Sequence, residues 1–399
     1  MASKSRRQTL LSRGQLRLLI WVLPIVILLL SLLGPKQEPE AVISADAERR
    51  IYQHPVPQQP TFRLHLIAPQ LPALDAPSQL RQRLISQALL TRLRQPDELG
   101  DWLSVQGWTA QLHSHPGYRV LQLESSEPFA DDALQALLLQ LQTPPALNWP
   151  TLLQRARAEQ YMLRQDAEAW LTSPPSLTAQ QPIQPHVEYA QLLQPSKWRI
   201  TLTGPEILPL TLPIVSPMSL PVPTESLPLL LEPLPVMPTP DSPLQLHRWT
   251  LPEVNSVEAF AQLLLGRELV AQSLSLWLEQ RLNTAPGRRN GYSLRWDATP
   301  HGGQATLILQ GEGWPELPDW LPQQPGSEQM AAARERILIQ LQSDTGLQQW
   351  MDLLALYQLP PDSLQRLPAQ LEALQLPTMQ QWLQSALLSD YYHTLSLPH

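Results

Sequence analysis

From Ser78 to Ser126 the sequence spells an amphipathic helix, a break and two short strands that meet at a turn, and the same order returns from Val257 to Gln310. A chain that writes one helix-to-hairpin unit twice is constrained to build two similar bodies. In the first copy the helix is Gln79 to Arg94, where Leu80, Leu84, Ile85, Ala88, Leu89 and Leu93 recur at spacings that hold one apolar face. Asp75 and Ser78 offer N-cap oxygens ahead of it, and Pro96 closes it. Trp108 to His115 and Tyr118 to Ser125 read as strands divided by Pro116-Gly117. In the second copy a long helix, Val257 to Leu282, leads to strands at Gly291 to Thr299 and Gln304 to Gln310.

The flanking elements repeat as well. Alternation through Phe62, Leu64 and Leu66 predicts a strand before the first helix, and Leu246 to Thr250 predicts its counterpart. Helices follow at Ala130 to Leu141 and Trp149 to Trp170, then a strand from Lys197 to Thr203 stopped by Gly204-Pro205. The second half continues with helices at Glu328 to Leu341, Thr345 to Leu356 and Pro377 to Leu388. Phe62 to Leu246 and Leu121 to Leu307 span nearly the same offset, which is what a duplication leaves behind. Between the halves, from Pro205 to Pro243, prolines arrive every few residues, so neither a helix nor a central strand can persist. The expected fold class is α+β: two tandem similar domains, each a mixed β-sheet with flanking helices, at residues 61–204 and 246–399. A proline-rich linker, residues 205–245, joins them, and 399 residues suffice for two such cores.

The N-terminus carries a different signal. Residues 1–17 hold Lys4, Arg6, Arg7, Arg13 and Arg17 with no acid, and residues 18–34 are an almost unbroken apolar run. This predicts a signal anchor, one transmembrane helix with its basic side in the cytoplasm. Residues 35–60, polar and proline-bearing, then read as a tether. In a Gram-negative bacterium this places a single-pass protein in the inner membrane with the bulk of the chain in the periplasm.

Several chemistries are disfavoured or lack their signature. A net charge of -7 with only 28 Lys and Arg argues against nucleic acid as a partner. No cysteine is present, so disulfides, thiolate metal sites and cysteine nucleophiles are excluded together. The sequence holds no H-x-x-E-H zinc motif or its inverse, no G-x-S-x-G elbow, no phosphate loop and no dinucleotide turn. His113 and His115 share one face of a predicted strand, yet no third ligand at suitable spacing accompanies them, and exposed hairpin histidines are their ordinary reading. Arg155, Arg157, Glu159, Arg164, Asp166 and Glu168 read as a solvated helix face with intrahelical pairs. Arg281, Arg288, Arg289 and Tyr292 cluster where the second long helix hands over to its hairpin. Metal ligands, catalytic residues and cofactors are not assigned.

The pattern of both halves resembles the M16 family, the insulinase and mitochondrial processing peptidase-like proteins. The first half carries it in LSVQGWTAQLHSHPGYRVLQLES and KWRITLTGPE, the second in LSLWLEQRLNTAPGRRNGYSLRWD, and the likeness runs from Phe62 to Pro398. Active members carry H-x-x-E-H on the first helix, which here reads QLRQRLISQALLTRL, with Arg, Gln and Ser where ligands are needed. Glu159 falls about where the third ligand lies in relatives. The resemblance implies a catalytically silent pseudopeptidase that partners a zinc-bearing M16 homologue as a heterodimer and helps it grip peptide substrate. In two-chain members an Arg and a Tyr hold the substrate backbone; Arg281 and Tyr292 are the corresponding candidates, although NTAPGRR lengthens their spacing. The alternative is a non-proteolytic envelope scaffold anchored in the inner membrane, for which the Pro- and Leu-rich linker would be a binding surface.

Overall fold

The computed structural model describes residues 43–70, 72–73, 75–94, 99–143, 146–172, 182–193, 197–211, 226–228, 238–284, 289–300, 302–342, 346–387 and 392–398. The basic segment 1–17, the expected anchor 18–34 and much of the proline-rich linker lie outside them. Among the described residues no helix is long and apolar enough to cross a membrane.

The first half is built on a six-stranded sheet ordered β1-β2-β6-β3-β5-β4. Its strands are β1 (Ser44–Ala45), β2 (Ile51–Pro55), β3 (Phe62–Pro69), β4 (Thr109–Ser114), β5 (Tyr118–Ser125) and β6 (Arg199–Gly204). β2 runs parallel to β6 and the other pairs are antiparallel, so the sheet is mixed. The helices are α1 (Ala76–Arg94), α2 (Asp101–Val105), α3 (Asp131–Gln142), α4 (Trp149–Leu163), α5 (Ala167–Thr172) and α6 (Pro185–Leu192). Alternation along β3 sends Phe62, Leu64, Leu66 and Ala68 to one face, where they meet Leu80, Leu84 and Ala88 of α1 and Leu134 and Leu138 of α3 in one core. Asp75 caps α1 by accepting a hydrogen bond from the Ser78 amide at 2.8 Å.

Two expectations change here. The helix expected to run from Trp149 to Trp170 is two helices, because the Asp166 carboxylate accepts from the Ala169 amide at 2.9 Å and starts α5 afresh. The segment read as a tether contributes β1 and β2, since Ile51 and Tyr52 bury almost completely once β2 pairs with β6.

The second half is a four-stranded antiparallel sheet ordered β10-β7-β9-β8. Its strands are β7 (Leu244–Leu251), β8 (Gly291–Thr299), β9 (Gly302–Gln310) and β10 (Tyr392–Leu397). The helices are α7 (Val257–Thr284), α8 (Leu317–Trp320), α9 (Ser327–Leu341), α10 (Leu347–Tyr357), α11 (Ser363–Ala373) and α12 (Leu376–Ala386). The spatial order β10-β7-β9-β8 repeats β6-β3-β5-β4, so the duplication shows in the topology itself. Gly302 opens β9 with a φ of +103°, a conformation that lets a tight turn follow β8.

The halves exchange packing. α10, from the second half, covers the back of the first sheet, so that Tyr52, Ile67 and Val120 belong to the second half's core. Asp352 on α10 pairs with His65 Nδ1 at 2.8 Å and accepts from Thr201 Oγ1 at 2.6 Å. In return α5 lays Leu171 against Leu244, Leu246, Ile308 and Leu397 of the second sheet. Residues 43–399 therefore pack as one unit, with the halves interlocked across the linker.

Candidate functional site

The polar faces of the two halves meet in a cleft of about 660 Å³. Alternation explains the second half's contribution. β7, β8 and β9 send Trp249, Leu294, Trp296, Ala305, Leu307 and Leu309 to the core side. Arg248, Ser293, Arg295, Asp297, Gln304 and Thr306 therefore stand on the opposite face, beyond the part that α5 covers, and line the cleft. The first half supplies the polar face of α1: Gln79, Gln82, Arg83, Ser86, Gln87 and Leu90 recur at helical spacing and line the cleft from the other side. The ends of α4 and α5 add Glu159, Gln160, Arg164, Asp166 and Glu168, and the β4–β5 hairpin adds Ser114, His115 and Arg119.

H-x-x-E-H needs three side chains at i, i+3 and i+4 on one helix face. Of the two such triplets on α1 that begin at Gln82 or Arg83, the first would include Ile85, which is buried in the core of the first half. The second, Arg83, Ser86 and Gln87, lines the cleft throughout, as does the triplet that begins at Gln79, made of Gln79, Gln82 and Arg83. Glu159 is close enough to Arg83 to oppose the effect that burial has on its guanidinium, whose pKa is held below the usual arginine range. A guanidinium, a hydroxyl and an amide form a donor set that does not fit zinc, and the cation opposite Glu159 is supplied by the chain itself. Among the described residues no group of three His, Asp or Glu could hold a metal ion.

Burial shapes the electrostatics of the cleft. Arg119 is 2 % exposed, and its Nε donates to Ser86 Oγ at 3.0 Å while a terminal nitrogen donates to the Gln82 carbonyl at 2.7 Å. With only neutral partners among the described residues, burial pushes Arg119 down to about 10. Burial likewise pushes Arg248 down to about 10; Arg295 adds repulsion, Asp75 partly offsets both, and the side chain donates to the Thr172 carbonyl at 2.5 Å. Asp297 is raised by burial, against the pull of Arg295.

The charge cluster expected on a solvated helix face divides: Glu159, Arg164, Asp166 and Glu168 line the cleft, and Arg157 donates to the Pro228 carbonyl. His113 sits exposed on edge strand β4, while His115 lies beyond its end and stacks on Tyr118 with ring centroids 4.4 Å apart. Arg281 and Tyr292 lie outside the lining of this cleft. The Tyr292 hydroxyl is 2.6 Å from Ser275 Oγ and donates to the Ala271 carbonyl at 3.1 Å, which fastens β8 to α7. Arg281 lies over the Trp277 ring, 6.0 Å from its centroid. The residues that the sequence did not single out come from strands: Arg119 reaches α1 from β5 of the same half, whereas Arg248, Arg295 and Asp297 stand on the second sheet and line the cleft only because the halves meet.

No protein-family model matches the sequence, and no curated protein matches it. Solved structures do match the fold. The inactive domain of an M16 peptidase from Pseudomonas fluorescens aligns with a TM-score of 0.56 at 13% identity, covering 89% of this chain and 97% of that one. An M16-like protein from Alicyclobacillus acidocaldarius aligns at 0.53 and 11% identity, covering 90% and 98%. A protease from Helicobacter pylori aligns at 0.53 and 10% identity, covering 90% and 100%. The fold of this chain is that of the M16-like peptidases.

Proposed function

We propose that this chain is a catalytically silent M16-type subunit, held at the bacterial inner membrane by residues 18–34, that works in the periplasm beside a zinc-bearing homologue. One observation carries the reading: Arg83, Ser86 and Gln87 occupy the α1 face that lines the cleft, so the shape of a zinc peptidase's site is kept while its ligands and its water-activating carboxylate are gone. The similarity to an inactive M16 domain over almost the whole of both chains supports it. Affinity purification of the full chain from native membranes tests it. The expected result is co-recovery of a zinc peptidase carrying H-x-x-E-H, with no peptide hydrolysis by the separated chain. Recovery of the chain alone, or zinc-dependent hydrolysis by the chain alone, overturns it. Arg281 and Tyr292 are proposed to grip substrate in that assembly; an unchanged turnover of the reconstituted pair carrying Arg281→Ala or Tyr292→Ala removes them from that role.

A further inference from the structure

The second sheet turns an ordered polar face to the cleft, and strand register sets that face out in rows. Arg248 of β7 lies opposite Thr306 of β9, which in turn lies opposite Arg295 of β8, and all three line the cleft. The two arginines therefore stand two strands apart on one face, about 10 Å between backbones, within reach of one group held between them. Thr306 is almost wholly buried and forms the floor of the gap. Arg295 is exposed and makes no hydrogen bond or ion pair among the described residues. Arg248 leans towards α5, where it donates to the Thr172 carbonyl.

Five arginines and four carboxylates line the cleft, so position decides what a ligand meets. Three of the arginines belong to the first half: Arg83 feels Glu159, Arg119 is bonded to α1, and Arg164 ends α4. Of the carboxylates, Asp166 holds the Ala169 amide, and Glu168 lies towards the Ser293 end of the sheet, where both line the neighbouring cavity. Asp297 occupies the next row, opposite Gln304, and forms no ion pair with Arg295. At Arg248 the repulsion from Arg295 outweighs the attraction of Asp75. The row is thus locally electropositive, and like charges facing each other on one sheet face destabilise it until a counter-charge arrives.

We propose that this row selects an acidic side chain of a bound peptide, whose carboxylate lies between Arg248 and Arg295 and accepts from both guanidinium groups. This selection rests on the reading of the chain as a subunit that holds peptide substrate, and it narrows that substrate by charge. Guanidinium donors suit a carboxylate because they meet it with charge-assisted hydrogen bonds. Glu168 towards one end of the row and Asp297 beyond the other bracket it with negative charge. The matching peptide therefore carries one acid flanked by neutral or basic residues.

A random pool of short peptides with blocked ends, passed over the immobilised full chain in detergent, tests it. Sequencing of the retained fraction should show Glu or Asp enriched at one place. The chain's net charge of -7 would by itself enrich basic peptides, so an acidic preference reports a local site. Replacing that acid by its amide in a retained peptide is expected to weaken binding by at least about tenfold, the loss of a charge-assisted contact. Arg295→Gln should erase the difference between acid and amide, and without peptide it should melt no lower than the parent. Arg295→Glu should turn the preference towards Lys or Arg, which a merely structural role for Arg295 would not do. Retention of peptides with no acidic preference, equal affinity for acid and amide, or an unaltered preference in a folded Arg295 variant overturns the proposal alone. A chain that retains no peptide also overturns it, and leaves the subunit reading to the co-recovery of a zinc peptidase.

Discussion

His247 shows how one side chain's surroundings set a property of the whole protein. It sits on β7 opposite β10, 7 % exposed, with Nδ1 2.5 Å from the Tyr392 hydroxyl and the two rings stacked. Its Nε2 is buried without a partner among the described residues, so a proton there would find none of them to pair with. Burial pushes the imidazole down to about 4 from the ordinary 6.5. Because the folded pKa is depressed, both states are neutral above pH 6.5 and the group contributes no pH dependence there. As pH falls from 6.5 towards 4, the unfolded chain gains a proton that the folded chain does not, and stability is lost by on the order of 3 kcal/mol. Denaturant unfolding across that window should show the decline, and His247→Gln should remove this component of it. An identical slope in the variant would assign the acid sensitivity to other groups.

At the scale of elements, α1 carries both the most legible and the least legible part of the molecule. Its core face was readable, because Leu80, Leu84, Ala88 and their neighbours repeat at helical spacing and only burial rewards that pattern. Its opposite face was readable as polar and nothing more, since a polar face normally meets solvent. That it meets the polar face of a second sheet depends on pairings between residues more than a hundred positions apart. The same limit hid β10 and β2, short strands whose few apolar residues bury only after a partner strand is in place. It also hid the burial of Arg164, which reads as one more charge in a charged helix. The register of α1 can be tested directly. If Arg83, Ser86 and Gln87 hold the motif positions, the triple variant Arg83→His, Ser86→Glu, Gln87→His restores two imidazoles one turn apart with Glu159 across the cleft. One zinc per chain is then expected by metal analysis, against none for the parent. A triple variant that folds and stays free of zinc would show that the register is displaced.

Across the whole molecule, the exchange of α10 and α5 determines whether the halves unfold together. The proline-rich connection suggests two independent domains, yet α10 is fastened to the first sheet by more than apolar contact. Asp352 takes His65 and Thr201 together, Gln348 donates to Thr201 Oγ1 at 2.7 Å, and the Tyr52 hydroxyl donates to the Leu359 carbonyl at 2.6 Å. The side chains of His65 and Asp352 are only 12% and 13% exposed, so this network is largely shielded from water. Replacing Asp352 by Leu leaves the Thr201 hydroxyl and the His65 imidazole without their acceptor in a buried seam, a loss of roughly 2–4 kcal/mol. The exposed Arg366–Asp362 pair, 3.8 Å apart with both side chains 52% exposed, supplies the contrast. Arg366→Ala should change stability by less than about 0.5 kcal/mol. The diagnostic quantity is cooperativity. The parent should unfold in one calorimetric transition because each half completes the other's core, whereas Asp352→Leu should separate it into two as the seam gives way first. A variant that loses stability while keeping a single transition would mean that the Leu171 contacts of α5 suffice to couple the halves.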